Sequence, residues 1–146
     1  MNIDILALCD FAQDNDGKLT IVGTFDHYVV RKAPLPKSNL FMVARVKMNS
    51  EESKLQQEFS AEVTEMSTGK MILGQPINSK IEPHPSDEFL FSNFIFEFSD
   101  LQFPAEGNYQ FSFKIGNVEN SIPLKVYFQK DRKSTRLNSS HLGISY

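Results

Sequence analysis

Apolar and polar positions alternate with a period of two through most of this chain. Tyr109, Phe111, Phe113 and Ile115 share one parity, and Gln110, Ser112 and Lys114 the other. Leu40, Met42, Ala44, Val46 and Met48 likewise share a parity opposite Arg45 and Lys47. Phe59, Ala61 and Val63 repeat the pattern in residues 57–66, and Ile122, Leu124, Val126 and Phe128 repeat it against Lys125 and Tyr127. A period of two predicts strands with one face on a core. Residues 89–98 are apolar on both parities: Leu90, Phe94, Phe96 and Phe98 on one, Phe89, Phe91 and Ile95 on the other. That predicts a central strand, covered on both sides. Residues 3–9 are almost continuously apolar and predict another strand inside a sheet.

The breaks between these runs carry turn chemistry. Asp16-Gly17 predicts a tight turn, and with it a hairpin of residues 3–25 in which Leu19, Ile21 and Gly23 share a face. Gly23 suits a bend, after which residues 26–30 stay extended. Pro34 and Pro36 predict a loop over residues 31–39. Residues 49–53 predict a polar loop, with a short helical turn from Glu51. Ser67-Thr68-Gly69-Lys70 predicts a hairpin turn into a short strand, Met71-Ile72-Leu73, limited by Pro76. Residues 77–88, with Pro83-His84-Pro85, predict an extended linker. Gly116-Asn117 predicts a last turn.

Leu101, Pro104 and Gly107 then form a corner before Tyr109, where the chain is expected to cross from one stacked sheet to the other. The spacing Gly107-x-Tyr109, with Leu101 upstream, is similar to the tyrosine corner of immunoglobulin-like sandwiches, whose phenol bonds upstream backbone. The expected fold is all-β: a two-sheet antiparallel β-sandwich, immunoglobulin-like, of seven to eight strands.

Composition sharpens this picture in three places. The chain has 146 residues, which suits one domain, and its aromatics are 13 Phe and 4 Tyr with no Trp, which favours a β core. Residues 131–141 resemble one translated frame of a common sequencing adapter over their whole length, and residues 144–146 its continuation. We therefore read residues 1–130 as a single sandwich domain and 131–146 as a disordered, adapter-derived tail outside the fold. Removing Arg132, Lys133, Arg136 and Asp131 from the count leaves 12 basic against 17 acidic side chains, so the domain is more acidic than the whole chain at −3. Acidity argues against nucleic acid as a partner. A single cysteine, Cys9, allows no intrachain disulfide, and neither a signal peptide nor a membrane-length apolar run is visible. The expectation is a soluble cytoplasmic protein that does not bind membranes.

Candidate chemistry is sparse. Asp10, Asp14 and Asp16 cluster near Gly17, but setting Gly17 sixth in a calcium loop puts Ala12 first and Gly23 twelfth, where oxygen ligands are required. An Asx-rich turn explains the cluster. Asp26-His27 is a candidate acid/base pair, although neighbours on a strand point to opposite faces. His84 lies between two prolines, and Cys9 ends an apolar strand, where a thiol behaves as a small hydrophobe. No catalytic residue, cofactor-binding residue or metal ligand set is assigned; the candidate polar site is Asp10, Asp26, His27 and Arg45.

Several blocks carry a wider resemblance. Leu6-Ala7-Leu8-Cys9-Asp10-Phe11-Ala12 is followed by Gly17-Lys18-Leu19-Thr20-Ile21-Val22-Gly23-Thr24-Phe25-Asp26. With Val43-Ala44-Arg45, the Phe103–Phe111 corner and Ser121-Ile122-Pro123-Leu124, these blocks resemble a family of small bacterial proteins of unknown function over residues 3–128. The resemblance implies a compact β-domain and supplies no activity, cofactor or catalytic residue. The leading expectation is a non-enzymatic binding or protein-interaction module, with an exposed apolar patch or a free strand edge at Met71–Leu73 or Tyr28–Val30. Such an edge also offers a homodimer contact. The alternative is a small-ligand-binding sandwich or small enzyme in which at least three of Asp10, Asp26, His27 and Arg45 converge on a pocket.

Overall fold

The computed structural model describes residues 1–30, 38–73 and 77–129. The loop prolines Pro34 and Pro36, Pro76 and the adapter-like segment 131–146 lie outside the described residues. The strands are β1 (Asn2–Asn15), β2 (Lys18–Thr24), β3 (His27–Val30), β4 (Ser38–Met48), β5 (Gln57–Glu65), β6 (Ile77–Ile81), β7 (Leu90–Leu101), β8 (Gly107–Ile115) and β9 (Val118–Phe128), with one helical turn, α1 (Ser50–Ser53), after β4. They form a four-stranded sheet in the order β2-β1-β4-β7 and a five-stranded sheet in the order β3-β9-β8-β5-β6.

The inward parities of β4, β7 and β8 are those the alternation predicts. Leu40, Met42, Ala44 and Val46 are fully buried on the first sheet, and Tyr109, Phe111, Phe113 and Ile115 on the second. Aromatic rings join the layers. Phe113 meets Phe94 at 5.2 Å and Phe96 at 5.8 Å between centroids, and Phe111 meets Phe98 edge-on at 5.7 Å. Phe59 of β5 adds a ring 4.8 Å from Phe94. Offset and edge-to-face rings at these separations are the favourable arrangements for aromatic pairs.

The chain passes from the first sheet to the second at the corner between β7 and β8. Tyr109 is fully buried, and its Oη donates to the carbonyl of Ala105 at 2.6 Å while accepting from the Ala105 N–H at 3.3 Å. The ring of Phe103 packs edge-on against Tyr109 at 4.8 Å. Glu106 ties the same corner to the end of β9 by accepting from the Phe128 N–H at 2.7 Å. Burial pushes the Tyr109 phenol above its ordinary pKa, so it stays a neutral donor.

The structure corrects four expectations. The described residues form nine strands, not seven to eight, because the expected linker over residues 77–88 begins with β6, which pairs with β5. β6 escapes detection because it is an edge strand whose residues are mostly exposed, so it carries little apolar alternation. Met71–Leu73 is not a strand; Met71 makes a single bridge to Thr64. β7 is an edge strand rather than a central one, and the β1–β2 hairpin covers part of its second apolar face. The sandwich is also not purely antiparallel: β3 runs parallel to β9, with His27 opposite Lys125 and Val30 opposite Phe128. Leaving the first sheet after β2, the chain joins the second at its edge, where the Lys125 N–H donates to Asp26 O and the Gln129 N–H to Val30 O.

The helical turn expected near Glu51 is present and anchors the start of the chain. Asn49 and Glu52 form a reciprocal capping box: Glu52 N–H donates to Asn49 Oδ1 at 2.8 Å, and Asn49 N–H to Glu52 Oε1 at 2.9 Å. The other oxygen of Glu52 accepts from the Met1 ammonium at 3.0 Å. The Asn49 N–H and then that ammonium hold the Glu52 carboxyl below its ordinary pKa.

Two outcomes follow from these contacts. Tyr109→Phe, which keeps the ring and removes the hydroxyl, is expected to lose about 1–2 kcal/mol in urea unfolding, since it orphans a corner carbonyl. Glu52→Gln is expected to lose about 1 kcal/mol near pH 7. A carboxyl whose folded pKa is lowered stabilises fully above its unfolded pKa and loses that contribution as pH falls through the folded value. The gap between wild type and Glu52→Gln, followed by urea unfolding, therefore closes as pH drops below the usual carboxylate range.

Candidate functional site

The outer face of the four-stranded sheet brings Asp14, Arg45, Lys47, Phe89, Phe91 and Asn93 together. It starts from the β1–β2 hairpin. Asp16 and Gly17 both take positive φ, 52° and 85°, as a two-residue turn between Asn15 and Lys18 requires. The expected hairpin is thus present, but only from Cys9 to Thr24; residues 2–9 of β1 pair with β4 instead. β1 also runs on through Asp10 to Asn15, six residues past its expected end.

The hairpin does not continue straight. Ile5 pairs with Arg45 on β4, so an unbent β1 would carry Gly17, twelve residues on, about 40 Å away. Instead Arg45 Nη1 donates to the Gly17 carbonyl at 3.4 Å. The bend falls where the ladder skips: Phe11 pairs with Val22 and Cys9 with Thr24, while Asp10 and Gly23 between them do not pair. Gly23 has φ +68°, and an ideal Cβ there would meet Asp10 Oδ2 at 2.5 Å. Only glycine suits both the backbone and the close approach of that carboxylate.

Folded back, the hairpin buries a second, smaller apolar cluster against the outer sheet face. Cys9 and Val43 are fully buried and Ala12 nearly so, with Leu19, Ile21, Phe41 and Ile95 packed around them. This cluster covers part of the second face of β7, which explains Ile95. Side chains fasten the tip. Arg45 Nη1 donates to Asn93 Oδ1 at 2.9 Å, and Asn93 Nδ2 donates to Asp14 Oδ2 at 3.2 Å and to Gly17 O at 3.3 Å. Asp14 Oδ1 accepts from the Gly17 N–H at 2.8 Å, the Asx turn that accounts for the acidic cluster.

Beyond the hairpin tip the same face continues as a ladder of cations and rings. The Arg45 guanidinium carbon lies 4.4 Å from the Phe91 ring centre, and Lys47 Nζ lies 4.3 Å from that of Phe89. The two rings meet edge to face at 5.6 Å, and Phe89 remains 56% exposed. Arg45 and Lys47, on the polar parity of β4, thus stack on Phe91 of β7 and on Phe89 just before it.

The other candidates are placed elsewhere. Asp26 and His27 do meet, contrary to the alternation argument: His27 Nδ1 and Asp26 Oδ1 are 2.9 Å apart. Asp26 occupies a bend before β3, so the two-residue period does not govern it. That contact holds the Asp26 carboxyl below its ordinary pKa. His27 stands on the five-stranded sheet and Arg45 on the four-stranded one. Asp10 lies at the hairpin bend. Burial raises the Cys9 thiol pKa and keeps it protonated. Among the described residues, no group of three or more His, Cys, Asp and Glu side chains is arranged to hold a metal ion.

His84 borders a shallow depression with Met48, Leu55, Ile81 and Leu90, with a cavity volume of about 10 Å³. That is below the roughly 300–1,000 Å³ of a typical ligand pocket. Tyr28–Val30 lie in β3 at a sheet edge, with Val29 exposed. Among the described residues, no helix is long and apolar enough to cross a membrane.

Sequence reasoning missed Asn93, its contact with Asp14 and the Lys47–Phe89 stack. The pairing of β4 with β7 sets Arg45 opposite Asn93 and Lys47 opposite Phe91, and only that register makes the ladder visible.

Comparison with known proteins supports membership of a family of unknown function. No curated protein matches the chain. Residues 4–127 match a family of unknown function, DUF6941, and the chain belongs to that family.

Proposed function

We propose that this domain is a non-enzymatic protein-interaction module that docks a partner on the outer face of β4 and β7. The observation that carries the reading is the exposed ladder of Phe89 and Phe91 stacked under Lys47 and Arg45 on an edge strand. Aromatic side chains and arginine are the residues enriched at protein interfaces, and an edge strand offers unpaired backbone to an incoming segment. Phe89 presents its ring to water while Lys47 holds it in place, so little side-chain freedom remains to be lost on docking.

The scaffold reading that accompanies this is immunoglobulin-like. The order β1-β4-β7 corresponds to strands A, B and E of that fold, and β5-β8-β9 to C, F and G. Tyr109 opens the strand in the F position, after the corner where a tyrosine corner belongs. The setting we propose is a reducing, bacterial cytoplasm, in keeping with one buried free thiol. A second copy of the chain, pairing edge to edge, is the other occupant the surface admits.

Cross-linking mass spectrometry on host lysate, with light scattering on the purified chain, tests the reading. Phe89→Ser and Lys47→Glu are expected to abolish the partner cross-links, or to halve the mass if the partner is a second copy. Val22→Ser, on the outside of the hairpin, is expected to leave either signal unchanged. Equal cross-linking and equal mass for all variants would overturn the proposal.

A further inference from the structure

We propose that residues 10–24 form a hinged flap that swings as a unit about Asp10 and Gly23 and uncovers the apolar strip of Cys9, Val43 and Ile95. Three independent features point to it. The hinge is local: a glycine with φ +68° faces an unpaired ladder position, so rotation there leaves the pairing from Phe11 to Asn15 intact. The seal under the flap is small: its buried members, Cys9, Ala12 and Val43, are short side chains set apart from the main core. The fastening is discrete: Arg45, Asn93, Asp14 and Gly17 close it with side-chain hydrogen bonds at the tip, at exposed or half-buried positions where water competes.

A segment with few apolar contacts and exposed hydrogen bonds opens at lower cost than the global unit. The two sheets are joined instead by buried rings that meet at 5.2 to 5.8 Å between centroids. Opening lengthens the outer face of β4 and β7: the Phe89–Phe91 ladder then continues through Asn93 to Ile95 and Val43. The inference does not rest on the docking reading, since the flap moves whether or not anything binds.

Cys9 is the only thiol of the chain, so it reports the open state without labelling. The full chain is treated with Ellman's reagent under native conditions, and hydrogen exchange is followed by mass spectrometry. Wild type is expected to react slowly, in proportion to reagent concentration, at a rate nearly flat in low urea. Asn93→Ala and Arg45→Met are each expected to raise that rate about tenfold. Gln13→Ala, on the same flap but outside the fastening, is expected to leave it unchanged. In the unmodified protein, amides of residues 11–22 are expected to exchange together and well ahead of those of residues 109–113. Thiol reaction that follows only the urea dependence of global unfolding would overturn the proposal. So would exchange of residues 11–22 at the protection of residues 109–113, or Asn93→Ala and Arg45→Met rates equal to wild type.

Discussion

The rings of Phe94, Phe96 and Phe98 on one sheet close on Phe59, Phe111 and Phe113 of the other, and the remaining architecture depends on that contact. A sandwich has no covalent tie between its layers here, since the single thiol cannot form a bridge within the chain. Apolar burial must therefore supply the cohesion, at about 1.5–3 kcal/mol for each fully buried large side chain. Phe111 and Phe113 are completely buried, Phe94, Phe96 and Phe98 nearly so, and Phe59 half-buried. Edge-to-face and tilted pairings fix which ring meets which, so the layer also sets the register of one sheet over the other. The Tyr109 corner then directs β8 onto the second sheet at the height the rings need.

The outer face of the first sheet obeys different rules. Among the described residues no second layer covers it; the β1–β2 hairpin covers part of it and cation-ring stacking occupies the rest. Small residues, Cys9, Ala12 and Val43, let the hairpin lie close. Arg45 serves both halves: one nitrogen bonds Asn93 and Gly17, while the guanidinium stacks on Phe91. This division gives an edge strand with two apolar faces a stable environment and still leaves Phe89 accessible. It also explains why an acidic chain keeps two cations together here.

Legibility in the sequence followed burial. β4, β8 and β9 could be read because each sends a full row of apolar residues into the core, and a period of two records that directly. The Asp16-Gly17 turn could be read because positive φ at both positions demands those residue types. β6 could not, since an edge strand with exposed side chains has no apolar row to display. The place of β7 was misread for the converse reason: two apolar rows look the same whether a neighbouring strand or a folded-back hairpin covers the second. Asp26 and His27 were judged on strand geometry that a bend suspends. The ladder of Arg45, Lys47, Phe89 and Phe91 was hidden because it depends on pairing between segments over forty residues apart.

Urea unfolding of Phe113→Ala tests the account at its centre, because that ring touches Phe59, Phe94 and Phe96 at once. If the aromatic layer joins the sheets, the substitution costs about 3–5 kcal/mol, the range for removing a buried Phe side chain. A loss below about 1 kcal/mol, typical of a surface position, would contradict it.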